Sequence, residues 1–159
     1  MSLRVLVNGR EGSGIDPHDR GLSYGDGLFE TMAVVAGTVP RLQAHMERLR
    51  RGCERLGIAL PPPEELDAEI QSLVRDCELA VLKLIVTRGP GGRGYRPPAD
   101  IRPTRVLYLE NWPDYPREWA EEGVTVRLCR TRLAEQPLLA GLKHLNRLEQ
   151  VLARSEWDA

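Results

Sequence analysis

Leu79-Ala80-Val81-Leu82-Lys83-Leu84-Ile85-Val86-Thr87 decides the fold. The run is nearly continuous in apolar residues, so it reads as a strand central in a sheet. Side chains alternate faces along a strand. Val81, Lys83 and Ile85 therefore lie opposite Leu82, Leu84 and Val86, and Lys83 is expected to be solvated or paired. Downstream, residues 88–98 form a loop with four glycines, residues 104–111 a strand, and residues 112–116 a turn. A short helical stretch to Glu122 and a strand over 124–129 follow. A last helix runs from about His144 to the end.

Upstream of the central strand the period changes to that of a helix. Leu42, Met46, Leu49, Cys53 and Leu56 share one face, and Gly57 closes the helix. His45, Arg48 and Gly52 form a second stripe beside that face. Gly52 weakens the helix by about 1 kcal/mol relative to alanine, which points to close packing there. Pro61-Pro62-Pro63 punctuates, and Glu64-Glu65 suits the first turn of a second helix ending near Cys77. Before these helices lie a strand over 3–8, a long loop over 9–27 and a strand over 29–36. The order is β-β-α-α-β-β-β-α, with strands in runs rather than alternating singly with helices. This predicts an α+β fold, a mostly antiparallel sheet with packed helices, and argues against a doubly wound nucleotide-binding fold.

The 159 residues can bury a core, and 42% hydrophobic with 28% charged residues is a globular composition. A net charge of −1 gives no support to nucleic-acid or membrane-surface binding. Cys53, Cys77 and Cys129 show no metal-ligand spacing and read as reduced residues of a cytoplasmic protein. No apolar run reaches the length of a membrane span, and the N-terminus lacks a signal-peptide core.

Of 22 basic residues only Lys83 and Lys143 are lysines. A lysine can lose its proton and form a Schiff base, and an arginine cannot. Lys143 is thus either a surface residue at a helix start or a cofactor-bonding lysine. The glycine loop matches neither GxGxxG nor GxxxxGK[ST]. It is either a plain turn or a substrate lid, with Arg93 as a carboxylate clamp beside Tyr95. Arg48 stands out among the arginines of its helix only by its stripe, and His45 is either a structural residue or a base. No serine or cysteine sits in a nucleophile motif, and no carboxylate pair supports a hydrolase.

Together, Tyr24-Gly25-Asp26-Gly27-Leu28-Phe29-Glu30-Thr31, Arg41-Leu42-x-x-His45-x-x-Arg48-Leu49 and a lysine followed three residues later by Asn146 resemble the fold-type IV pyridoxal-phosphate enzymes. That group includes branched-chain and D-amino-acid aminotransferases and aminodeoxychorismate lyases. Gly91-Gly92-Arg93-Gly94-Tyr95 and Gly141 to Gln150 look most like the 4-amino-4-deoxychorismate lyases. The resemblance implies an N-terminal domain of such an enzyme over residues 1–130. Residues 131–159 would be the linker and the start of the cofactor-binding domain.

The resemblance also implies roles. Lys143 bonds pyridoxal 5'-phosphate and acts as acid and base, and Arg48 binds the cofactor phosphate. Arg93, Tyr95, Thr31 and Phe29 face the substrate, Phe29 standing where the D-amino-acid aminotransferases carry a tyrosine. Thr31 shares the strand face of Phe29. The implied reaction turns 4-amino-4-deoxychorismate into 4-aminobenzoate and pyruvate, a step of folate biosynthesis, in a cytoplasmic homodimer. A D-amino-acid or branched-chain aminotransferase and a non-catalytic domain are the alternatives. Family members continue into a second domain, so the chain is expected to be a truncated piece that binds the cofactor weakly or not at all and is inactive alone.

Overall fold

A computed structural model describes residues 4–12 and 14–157. Leu3, where the first predicted strand begins, and Asp158 and Ala159, where the last helix was expected to end, lie outside the described residues. The described strands are β1 (Val5–Val7), β2 (Arg10–Glu11), β3 (Gly27–Val35), β4 (Leu79–Thr87) and β5 (Thr104–Asn111). The helices are α1 (Arg20–Tyr24), α2 (Leu42–Leu56), α3 (Pro63–Val74), α4 (Glu118–Glu121) and α5 (Leu148–Arg154). No described helix is long and apolar enough to cross a membrane.

The five strands form one antiparallel sheet in the order β2-β1-β5-β4-β3. The expected α+β class is thus observed, with β4 between β5 and β3. One face carries Leu28, Met32, Val34, Leu82, Leu84, Val86 and Leu107, all buried. Leu49 and Cys53 of α2 and Leu66, Ile70, Leu73 and Val74 of α3 belong to the same core. A Cβ on Gly52 would lie 2.8 Å from Leu28 Cδ1, so the helix-weakening glycine lets α2 approach β3. Gly57 ends α2 in the left-handed conformation, φ 62°. Pro63 opens α3 at a position where its missing N–H costs nothing.

The β4 run is central as expected, with Val81, Lys83 and Ile85 half-buried on one face. The helices pack on one face, and Phe29, Thr31, Lys83 and Tyr108 share the other. Several expectations need correction. The loop over 9–27 contains β2 and α1. Residues 124–129 pair with no described strand, and Val124, Val126 and Leu128 are exposed. Their alternation is strand-like, but a ladder also needs a free neighbouring edge. The last helix begins at Leu148 rather than His144, because the backbone before it is bonded to β3.

Candidate active site

The outer edge of β3 has no neighbouring strand among the described residues, so its N–H and C=O groups seek partners. The lysine segment supplies them. Phe29 N–H donates to the Lys143 carbonyl at 3.0 Å, and Leu145 N–H donates to the Gly27 carbonyl at 3.0 Å. His144 thereby bridges Leu28, and the Asn146 amide donates to the Gly25 carbonyl at 3.1 Å. The three residues after Lys143 are anchored to the turn Gly25-Asp26-Gly27. These bonds join the two motifs in space.

This anchoring sets Lys143 Nζ 4.4 Å from the Phe29 ring centroid. Arg147 and Lys83 approach the same ring, at 5.4 and 5.8 Å. Burial lowers the pKa of Lys143; the Glu30 carboxylate opposes the shift, and Arg48, Arg147 and Lys83 reinforce it. A depressed lysine pKa is what a nucleophilic amine and proton carrier requires. Lys83 lies between Phe29 and Tyr108, 5.7 Å from the latter ring, and pairs with no carboxylate among the described residues. It is half-buried, and it borders the Phe29 ring over which the Lys143 amine lies.

Behind this ring sits Glu30, 1% exposed, on the helix side of β3. It accepts from Arg48 Nε at 2.7 Å and Nη2 at 2.5 Å, and its Oε2 lies 2.8 Å from His45 Nδ1. A buried carboxylate gripped by a planar guanidinium is a charge-assisted, two-point contact. The Arg48 side chain remains 43% exposed. His45 here orients Glu30. Glu30 and Arg147 were not singled out from the sequence. A carboxylate within the apolar alternation Leu28, Met32, Val34 was the available signal.

The remaining residues named from the sequence do not all join this cluster. Thr31 shares the face of Phe29, opposite Lys83 in the register, and is exposed. Arg93 and Tyr95 project from the glycine loop, both exposed. Tyr95 stacks at 5.4 Å on Tyr24, whose hydroxyl accepts from the Gly94 N–H at 3.2 Å. No contact among the described residues links Arg93 or Tyr95 to Lys143.

The donor set fits an anionic aldehyde cofactor. Lys143 supplies the amine. Arg147 Nε is buried and has no hydrogen-bond partner, an unmet donor beside the Phe29 ring. Arg48 adds a half-exposed guanidinium.

A family model of the class IV aminotransferases matches residues 27–159. The chain is 40% identical to the aminodeoxychorismate lyase of Vibrio harveyi, over 96% of this chain and 56% of that protein. It is 28% identical to a D-alanine aminotransferase of Staphylococcus epidermidis, over 95% of this chain and 55% of the relative. The crystal structure of 4-amino-4-deoxychorismate lyase from Pseudomonas aeruginosa superposes with a TM-score of 0.92 at 54% identity, covering 98% of this chain and 57% of that one. The chain thus spans about half the length of the curated relatives it matches. It belongs to the class IV aminotransferase family, the pyridoxal-phosphate enzymes of fold type IV.

Proposed function

We propose that the protein carrying this chain converts 4-amino-4-deoxychorismate to 4-aminobenzoate and pyruvate, with Lys143 as the residue that bonds pyridoxal phosphate. The observation that carries this reading is the setting of Lys143. Its amine lies over the Phe29 ring, and burial and three nearby cations favour its neutral form. The lyase is preferred to an aminotransferase because the lyase relatives are 40% and 54% identical, against 28% to 33% for the D-alanine aminotransferases.

When bound, the cofactor supplies an electron sink for the bonding pair left as a proton departs the amine-bearing carbon. The chain's own residues do the rest. Neutral Lys143 takes that proton at Nζ, and the carbon–oxygen bond to the enolpyruvyl group breaks as the ring becomes aromatic. Lys143 Nζ then returns the proton to the departing group, which completes pyruvate with no water consumed. Arg48, held by Glu30, and the unmet Nε of Arg147 bind the cofactor's phosphate. Phe29 and Thr31 form the substrate wall, and Arg93 and Tyr95 meet a substrate carboxylate.

Residues 1–130 form the sheet-bearing domain in this reading, and residues 131–159 lead into the cofactor-binding part. Hydrogen bonds from the backbone of Arg130, Thr131 and Ala134 to carboxylates of or just beyond α5 support a separate terminal unit. A cytoplasmic location fits three unpaired cysteines, and a homodimer fits the uncovered sheet face. The test supplies aminodeoxychorismate and, separately, amino acid and keto acid pairs to the pyridoxal-phosphate-loaded protein. Release of 4-aminobenzoate and pyruvate that is lost in Lys143→Ala is the expected result. Amino-group transfer alone would make the protein an aminotransferase.

A further inference from the structure

We propose that Arg20 is a positioning residue for substrate recognition: it holds the 88–95 loop in the shape that presents Arg93 to a substrate carboxylate. The inference rests on the lyase reading above and gives its carboxylate clamp a foundation.

Arg20 is 4% exposed, unusual for a residue that is always charged. Its three nitrogens are each engaged. Nε donates to Asp26 Oδ2 at 2.9 Å, Nη1 to the Gly94 carbonyl at 3.0 Å, and Nη2 to the Tyr95 carbonyl at 2.8 Å. The guanidinium lies 4.8 Å from the Tyr24 ring centroid. Its backbone N–H donates to the Gly89 carbonyl at 3.0 Å, and the Gly91 N–H donates to the His18 carbonyl at 3.0 Å. A Cβ on Gly91 would lie 2.9 Å from Arg20 Cδ, so that glycine lets the side chain pass beneath the loop.

These bonds flank Arg93 without using it. Gly91 is fixed before it, and Gly94 and Tyr95 are fixed after it. The Arg93 side chain is exposed and makes no hydrogen bond or ion pair among the described residues. A free guanidinium on a bound backbone is preorganised to grip a carboxylate, because the ordering of the loop is complete before binding. The loop is then a fixed arm rather than the mobile lid its glycines suggest. Lysine could keep the ion pair with Asp26, but its single nitrogen cannot span the carboxylate and both carbonyls as the planar fork does.

The experiment compares wild type, Arg20→Lys, Arg93→Ala and the double variant of the whole protein that carries this chain, each loaded with pyridoxal phosphate. Amide hydrogen exchange over residues 89–96 and steady-state kinetics are measured. Arg20→Lys is expected to speed exchange at Gly91 and Gly94 by about tenfold or more and to raise KM by about tenfold, with kcat within about twofold of wild type. Arg93→Ala is expected to raise KM similarly with exchange elsewhere in the loop unchanged. The double variant is expected to be no worse than Arg93→Ala, since Arg20 acts through Arg93. Unchanged exchange in Arg20→Lys, faster exchange with an unchanged KM, or multiplying losses in the double variant would each overturn the proposal. If wild type turns over no aminodeoxychorismate, the lyase reading fails. Loop exchange and the dissociation constant for isophthalate, a ring dicarboxylate, then decide the role of Arg20.

Discussion

The Phe29 N–H donates to the Lys143 carbonyl at 3.0 Å while the Lys143 amine sits 4.4 Å from the Phe29 ring. Backbone and side chain of one pair thus fix both the position of the lysine and the medium around it. The segment bearing Lys143 is held by the edge of a sheet, not by a helix of its own. Its anchor, residues 25–29, is continuous with β3 and therefore with the core.

Lys143 should carry a pH-dependent penalty in the cofactor-free protein. An unfolded lysine titrates near ~10.4, and burial with three cationic neighbours lowers the folded value. Below the folded value both states hold the proton, and the penalty on the buried ammonium is fully present. As pH rises from the folded towards the unfolded value, the native state sheds its proton and the penalty is relieved. Lys143→Met is therefore expected to melt higher than wild type at neutral pH, with the gain shrinking towards pH ~10. Thermal melts across that range check this, and a wild type more stable at neutral pH contradicts it.

Arg48 and Glu30 should behave as a unit. Arg48→Ala leaves a 1%-exposed carboxylate with His45 as its remaining side-chain partner. The expected cost is about 2 kcal/mol, below that of a fully buried pair because Arg48 is half-exposed. Adding Glu30→Gln to Arg48→Ala should recover part of the loss, with a coupling of about 1 kcal/mol in a double-mutant cycle. Urea denaturation of the four proteins measures it, and additive losses would mean that the two residues do not act together. Cofactor affinity should fall in both single variants, since Glu30 aims the guanidinium.

The sheet and its two long helices were legible from local signals: the apolar run of β4, the 3.6-residue period of α2, and the prolines and glutamates that open α3. Helix α1 has five residues and no period, and only its Asp19 cap and its left-handed Gly25 mark it. The alternation of Val124, Val126 and Leu128 gave the right local pattern and the wrong structure, because no residue in it says where a partner strand lies. Lys143 drew notice by scarcity and Arg48 by its stripe. Glu30 did not, since its meaning depends on His45 and Arg48 arriving from α2, 15 and 18 residues further on. Arg20 was invisible for the same reason, two of its three side-chain acceptors lying 74 and 75 residues away.

Gly27→Ala should detach the lysine without touching it. A Cβ there would lie 2.6 Å from the Val86 carbonyl oxygen and 2.8 Å from Leu145 Cδ1. The Val86 carbonyl is fixed within the sheet, so the Gly27 backbone must shift, and the Leu145 N–H bond to the Gly27 carbonyl weakens. The expected cost is about 1–3 kcal/mol, with loss of the visible absorbance of bound pyridoxal phosphate. Gly92→Ala is the control, because nothing lies within 4 Å of its added carbon. It should change stability by no more than about 0.5 kcal/mol.

Asp26 ties the lysine anchor to the glycine loop, and its titration should report that tie. Its Oδ2 accepts from Arg20 Nε at 2.9 Å and from Arg88 Nε at 2.7 Å. Burial pulls the carboxyl's pKa up, but the hydrogen bonds and charges of Arg88 and Arg20 outweigh it and hold the pKa below the usual value. A group depressed in this way stabilises the fold fully above its unfolded pKa of ~3.9. That contribution fades as pH falls through the folded value. Asp26→Asn, which keeps the shape and removes the charge, should cost about 2 kcal/mol at neutral pH. The gap should narrow as acid protonates the wild-type carboxyl, because protonated aspartate and asparagine then present similar neutral groups to the two arginines. Urea midpoints measured from neutral pH down into the acid range test this. A gap that stays constant across the range would mean that the charge on Asp26 contributes nothing to the junction.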